Sequence, residues 1–141
     1  MDEIVCSTNH KAMKKQLLVL LLFIGSVCSA QDWQYLMESN NNVYYYKSNS
    51  RTTAWIKVVS NMTAYYASDD DVKPTTVDGY TVYLYKFSCS SKKIAVLKTI
   101  VYSKDDKPLD IKSTDEFLAD MEAVKPNSVG EEMLFQFCYG K

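Results

Sequence analysis

Histidine is almost absent from this sequence. The one residue of this type in the 141-residue chain is His10. Imidazole is the commonest general base in enzymes and a common metal ligand. If residues 1–30 are removed during export, the remaining chain can form neither a histidine-based catalytic triad nor a histidine metal site. The sequence therefore predicts a protein that is not an enzyme and needs no cofactor.

A cluster of basic residues is also lacking. The chain carries 16 Lys and Arg against 17 Asp and Glu, a net charge of −1. Without residues 1–30 these counts fall to 13 and 15, which leaves a net charge near −2. Nucleic acids and anionic membrane surfaces are bound through clustered Lys and Arg. We therefore expect no nucleic-acid partner.

Motifs for metal binding and catalysis are missing as well. The acidic run Asp69, Asp70 and Asp71 lacks the glycine and the distal glutamate of a calcium-binding loop. Such a run is typical of a solvated loop. Ser91 and Lys92 are neighbours, and neighbours in a strand point to opposite faces, so they form no catalytic dyad. We expect no metal ligands and no catalytic residues.

No apolar run is long enough to span a membrane. The longest, at 17–24, falls short of the roughly 20 residues that a spanning helix needs. Lys14 and Lys15 precede this run, and small residues lead from it to Ala30. This layout is typical of a secretory signal peptide, with cleavage after Ala30 and with Met13 as the true start. An uncleaved anchor is the alternative.

Cys28 allows a variant of the same export prediction. Lipidation of this cysteine could follow signal processing, although bacterial lipoproteins carry a small residue where this chain has Val27. We expect export to the periplasm, the outer envelope or the medium. Residues 31–141 are then a single domain, without a transmembrane segment after signal cleavage.

Most of the mature chain has the composition and alternation of β-strands. The predicted strands are residues 32–39, 43–47, 52–60, 80–90, 92–104 and 109–112. The turn signal at 40–42 predicts that the first two strands form a hairpin. Residues 60–79 combine an acidic run, a proline and an Asp-Gly pair, and we expect a long irregular segment there.

The C-terminal region has helical spacing instead. Ser128, followed three residues later by Glu131, predicts the start of a helix. An apolar stripe follows, formed by Val129, Met133, Leu134, Phe137 and Cys138. The stripe predicts that this helix packs on the aromatic face of the strand at 80–90. Ser113 and Glu116 resemble a second capping box, which predicts a short helical turn over 114–122.

Two cysteines remain in the mature chain, Cys89 and Cys138. In an oxidising compartment they allow one intramolecular disulfide. Closing a loop of about 50 residues contributes ~4 kcal/mol in the chain-entropy model. Free thiols or an intermolecular bond are the alternatives.

Tyrosine is abundant, with 11 residues in the chain. Because consecutive strand residues alternate between faces, the runs at 44–46 and 65–66 place tyrosine on both sides of a sheet. Tyrosine is enriched in protein interfaces. The candidate protein-binding residues are Tyr44, Tyr46, Tyr65 and Tyr66. The alternative is that tyrosine serves only as a good strand former.

Several features occur together in a fixed order. They are Trp33, VYYY at 43–46, AWIK at 54–57, Cys89 after a tyrosine-rich strand, KPNSVGE at 125–131 and Cys138. This set resembles the surface-adhesin protein E-like family of bacterial exported proteins. The resemblance implies an α+β, mostly β fold, a curved antiparallel sheet of about five to six strands. It also implies a C-terminal helix tied to the concave face by a disulfide between Cys89 and Cys138.

The namesake members of that family are outer-membrane lipoproteins that bind host matrix proteins. The first hypothesis is therefore an adhesin-like binding protein. It would recognise another protein, such as a host or extracellular matrix protein, through the sheet face or the 60–79 loop. The alternative is a periplasmic or secreted inhibitor or immunity-type protein that blocks an enzyme with that loop.

Overall fold

The structure, a computed structural model, describes residues 32–140. The elements are β1 (Gln34–Ser39), β2 (Asn42–Ser48), β3 (Thr53–Val59), β4 (Thr63–Tyr65), β5 (Thr75–Val77), β6 (Gly79–Ser88), β7 (Lys93–Ser103), β8 (Pro108–Ser113), β9 (Glu122–Ala123) and α1 (Val129–Tyr139). The predicted signal peptide lies outside the described residues, and so do its cleavage site after Ala30, the start at Met13, His10 and Cys28.

Six strands form one antiparallel sheet in the order β1-β2-β3-β6-β7-β8. The sheet curls into a half-barrel, which confirms the predicted fold class. The first two strands form the predicted hairpin, and Asn40 and Asn41 supply its turn with positive φ angles of 52° and 62°. Asparagine tolerates that left-handed region better than most residues. A short strand that the sequence did not predict, β9, pairs with the start of β7.

One face of this sheet carries the core. Tyr46 pairs with Ile56 across β2 and β3, and Ile56 pairs with Tyr83 of β6. Ile56 is fully buried and Phe87 is 4% exposed. Met133 of α1 belongs to the same apolar cluster, so the helix packs on this face. We call it the helix face.

Helix α1 begins as predicted. The Ser128 side chain accepts a hydrogen bond from the Glu131 N–H at 3.3 Å. The Glu131 carboxylate in turn accepts from the N–H of Asn127, at 2.7 Å. The capping box thus reaches one residue further upstream than its usual form. Met133 and Leu134 are buried, which confirms the predicted apolar stripe.

The far end of α1 is bonded to the sheet. Cys138 forms a disulfide with Cys89, with 5.8 Å between the two Cα atoms. One residue before Cys138, the Phe137 ring stacks on that of Phe87 with the centroids 4.4 Å apart. The last turn of the helix is therefore held both covalently and by aromatic packing, and the predicted pairing is confirmed.

The prediction of an irregular segment over 60–79 is partly wrong. Residues 63–65 and 75–77 pair as the antiparallel hairpin β4–β5, with Thr63 opposite Val77. Thr63 is buried, and its hydroxyl lies 3.4 Å from that of Ser60. Both strands are only three residues long, too short for alternation to identify them.

The prediction of a helical turn over 114–122 is wrong. Ser113 is the last residue of β8, and it pairs with Lys98. Asp115, rather than Ser113, organises a single turn, because its carboxylate accepts from the Phe117 N–H at 2.8 Å. Phe117 is 96% exposed, so this segment has no buried apolar side that would extend the turn into a helix.

Candidate functional site

The second face of the sheet is not covered by α1. Side chains alternate between faces along a strand. Because Ala54 and Ile56 contribute to the core on the helix face, their neighbours Trp55 and Lys57 point to the other side. The same holds for Tyr45, which precedes the buried Tyr46 in β2. We call this second surface the open face.

The register of the strands arranges the open face in three rows that run across the sheet. The first row is Lys47, Trp55, Leu84 and Lys98; the second is Tyr45, Lys57, Val82 and Ile100; the third is Val43, Val59, Tyr80 and Tyr102. Lysines occupy both ends of the first row and the second position of the second row. Aromatic residues lie in all three rows.

A cleft of about 450 Å³ opens on this face. It is lined by Trp33, Lys47, Trp55, Tyr80, Val82, Lys98, Ile100 and Tyr102. Val82 is 7% exposed and Ile100 is 8% exposed, although α1 does not cover them. The aromatic rings and the lysine methylene chains around them exclude water instead. The open face thus has an apolar floor beneath rings that remain partly exposed.

The lysine ammonium groups lie close to aromatic rings. Lys57 Nζ is 3.8 Å from the centroid of the Tyr80 ring. Lys47 Nζ is 5.9 Å from the centroid of the Trp33 ring. Both distances are within the range of cation–π attraction. The contacts hold the positive charges against the surface of the sheet and leave them open to an anionic group.

Tyr80 is fixed by several contacts. Its hydroxyl donates a hydrogen bond of 2.6 Å to the Asp106 carboxylate. Its ring stacks on Tyr102 with the centroids 5.0 Å apart. Burial raises the pKa of Tyr80 above its ordinary value, and the hydrogen bond to Asp106 and the charge of that carboxylate raise it further. Tyr80 therefore remains a neutral phenol and presents a ring of fixed orientation.

Trp55 is similarly oriented. Its indole N–H donates to Asn49 Oδ1 at 3.1 Å, and Asn49 also donates to the Thr53 hydroxyl. The turn between β2 and β3 thereby positions the indole ring. The cleft is therefore built from side chains that are held in place before any ligand arrives.

The tyrosines predicted from the sequence lie elsewhere. Tyr46 is a core residue that is 8% exposed, and Tyr44 packs beside it on the helix face. Tyr65 is half-buried in β4. Tyr66 is 45% exposed, with Lys112 Nζ 5.9 Å from its ring centroid. The two pairs lie on different elements, and a binding role for these four residues stays a prediction.

The sequence predicted a sheet face as one of two candidate binding surfaces, but it named none of the residues that line the cleft, although one signal was present. Trp55 and Lys57 lie on one side of the predicted strand 52–60, opposite Ala54 and Ile56. An aromatic residue and a cation on the non-core side of a strand indicate a functional surface when neighbouring strands continue the pattern.

Residues 33–139 match the sequence model of the family described as surface-adhesin protein E. The chain belongs to the surface-adhesin protein E family. This finding confirms the resemblance drawn from the ordered residues. The matched region of this family member includes the open face and both disulfide cysteines. No curated protein and no solved structure matches the chain.

Two further findings concern only residues 32–140 of this adhesin-family chain. Within that range no group of three His, Cys, Asp or Glu side chains is placed to hold a metal ion. The same part of the chain has no helix that is both long enough and apolar enough to cross a membrane.

Proposed function

We propose that this chain is an exported, non-enzymatic binding protein that recognises another protein through the open face. Family membership supports the coarser part of this function, an adhesin-like protein that is exported or at the cell surface. The observation that carries the finer part is the cleft, in which partly exposed Trp and Tyr rings surround the buried Val82 and Ile100.

The composition of the cleft favours a protein partner. Trp and Tyr dominate the residues that carry most of the binding energy at protein interfaces. They do so because a large ring buries much area while few rotatable bonds are frozen. Here Trp55 and Tyr80 are already held by hydrogen bonds to Asn49 and Asp106. Less entropy is therefore lost when a partner covers the rings.

Location can be tested separately from binding. An adhesin must be displayed on the outer surface. Protease added to whole cells should therefore digest the chain, whereas a protein enclosed in the periplasm is spared until the outer membrane is permeabilised. Digestion only after permeabilisation would contradict surface display.

Binding is tested with the mature domain on wells coated with extracellular matrix proteins. We expect Trp55→Ser and Tyr102→Ser each to weaken attachment at least tenfold, because each removes a ring from the cleft. Tyr139→Ser is the matched control, since it alters an exposed tyrosine of α1, outside the open face. The proposal fails if the control weakens attachment as much as the two cleft variants.

The inhibitor or immunity-type alternative gains no support from the family match. It assigns binding to the 60–79 loop, where Asp69, Asp70 and Asp71 are exposed between β4 and β5. Replacing these three aspartates by serine preserves both strands. This variant should leave attachment to the wells unchanged if the open face is the site.

A further inference from the structure

Three lysines of the open face form no ion pair with a carboxylate among residues 32–140. Among residues 32–140 the ion pairs join Lys86 to Glu116, Lys104 to Asp78 and Lys112 to Asp110. Lys47, Lys57 and Lys98 are in none of these pairs, although the chain as a whole has a net charge of −1. The open face is therefore a local concentration of positive charge on an acidic protein. Charge complementarity requires an anionic partner at this surface.

Carboxylates lie at both ends of this face. Beyond the first row, Glu116 forms an ion pair with Lys86, which is two residues after Leu84 in β6 and therefore points to the same face. The Asp106 carboxylate accepts a hydrogen bond from the hydroxyl of Tyr80, a residue of the third row. Glu38 is paired with Val43, at the edge of that same row. The first row, with Lys47 and Lys98 at its ends, lies at the opposite side of the cleft. Lys86 neutralises Glu116, whereas Asp106 and Glu38 form no ion pair within residues 32–140, so an anionic ligand is favoured at the first row over the third.

The spacing of the first row sets the length of the ligand. Lys47 and Lys98 are separated by Trp55 and Leu84, one residue on each intervening strand. Since adjacent strands lie about 4.8 Å apart, the two lysine backbones are about 14 Å apart along the sheet. An extended peptide rises about 3.4 Å per residue, so side chains four residues apart span about the same distance. Residues at that spacing also point to the same side of an extended chain.

The middle of the row is apolar. A residue halfway between the two carboxylates would lie over Trp55 and Leu84, where an apolar or aromatic side chain is favoured and a charge is penalised. A uniformly charged polysaccharide would place anionic groups there. Arg51, the one arginine of the chain, is exposed in the turn before β3 and lies outside the cleft lining, so no guanidinium fork is available for phosphate.

We propose that the open face binds an extended acidic segment of a partner protein, in which two carboxylates four residues apart flank a central apolar residue. The carboxylates pair with Lys47 and Lys98, and the central side chain packs on Trp55. This proposal rests on the proposed function and narrows its partner. The charge of Lys57, in the second row, increases the positive electrostatic potential that attracts the acidic segment.

The test uses a fluorescein-labelled peptide, Gly-Glu-Ser-Phe-Ser-Glu-Gly, in an anisotropy titration with the oxidised mature domain. We expect saturable binding that weakens as salt rises from about 50 to 300 mM, because ion pairs of the half-buried Lys47 and Lys98 at an open surface are screened by salt. Replacing both glutamates by glutamine should weaken binding at least tenfold. A peptide with the glutamates three residues apart should be weakened similarly, because its carboxylates point to opposite sides.

The protein variants carry the complementary test. Lys47→Gln combined with Lys98→Gln should weaken peptide binding at least tenfold without changing the thermal midpoint by more than a few degrees. The matched control is Lys73→Gln combined with Lys125→Gln, which removes two exposed charges outside the cleft. Equal binding by both double variants, or by the glutamine peptide, would overturn the proposal.

Two other ligands are distinguished in the same assay. If the domain bound dextran sulfate more tightly than the peptide, the ligand would be a polysaccharide rather than a protein segment, and the proposal would be overturned. Light scattering that showed self-association, abolished by serine at Asp69, Asp70 and Asp71, would assign the face to a second copy of the chain and also overturn the proposal.

If the peptide does not bind but Trp55→Ser still abolishes attachment to the wells, only the proposal of an acidic segment is rejected. If neither binds, the proposed function is rejected with it.

Discussion

The ring of Phe87 stacks on the ring of Phe137, with the centroids 4.4 Å apart and the planes 12° from parallel. Phe87 is two residues before Cys89, and Phe137 is one residue before Cys138. The aromatic stack and the disulfide therefore connect the same strand end to the same helical turn. Without them, a short C-terminal helix is the part of a domain that frays most easily.

The disulfide should contribute a large share of the stability. It joins residues 49 apart in the sequence, and in the chain-entropy model this restricts the unfolded chain by about 4 kcal/mol. We expect the Cys89→Ser and Cys138→Ser double variant to lose roughly 3 to 4 kcal/mol of unfolding free energy, measured by urea denaturation. Reduced wild-type protein is the control and should unfold at the midpoint of the variant. Identical midpoints for oxidised and reduced protein would contradict the assignment.

The stack itself can be tested with two phenylalanines that differ in burial. Phe87 is 4% exposed and Phe117 is 96% exposed. Phe87→Ala should lower the unfolding free energy by roughly 3 to 5 kcal/mol, because it leaves a cavity against α1. Phe117→Ala, the matched control, should change it by less than about 0.5 kcal/mol. A similar loss in both variants would show that Phe117 is also packed.

The parts of the fold that follow from local pattern were predictable. The strand at 52–60 alternates, and Ser128 with the stripe through Met133 marks a helix over three turns. The pairing of Cys89 with Cys138 followed from having two cysteines and one compartment. These features depend on residues close in sequence or on covalent chemistry. They can therefore be predicted without knowing the register in which the strands pair.

The open face could not be assembled from the sequence because a bulge reverses the alternation in β7. Ile94 lies on the helix face, and strict alternation would place Lys98 there too. The register shifts between Leu84 and Tyr85 of β6, so Lys98 pairs with Leu84 and Val96 pairs with Tyr85. Lys98 thereby moves to the open face. A one-residue irregularity of this kind leaves no mark in composition or periodicity.

The contribution of the α1 N-cap to stability can be measured with two substitutions of Ser128. Ser128→Ala removes the acceptor for the Glu131 N–H and should cost about 1 kcal/mol of unfolding free energy. Ser128→Asp keeps an acceptor and adds favourable charge at the helix start, but it loses the hydrogen bond that the Ser128 hydroxyl donates to the Lys125 carbonyl, so its unfolding free energy should lie between those of wild type and the alanine variant. Urea denaturation of the three proteins measures the difference. The cap is unimportant if alanine and aspartate behave alike.

Alkaline pH should destabilise the fold through Tyr85. Burial, followed by the nearby Tyr83 and Tyr44, raises the pKa of Tyr85 from 10.0 to about 12. The folded protein therefore holds this proton more tightly than the unfolded chain. The stabilisation that protonated Tyr85 gives the folded state is complete below pH 10 and is lost as the pH rises from 10 toward 12. By pH 11 the loss of unfolding free energy should be about 1 kcal/mol.

Urea denaturation at pH 9, 10 and 11 measures this loss, and Tyr85→Phe, which cannot ionise, should show a shallower decline than wild type. An unchanged slope for Tyr85→Phe would mean that other groups govern the alkaline limit.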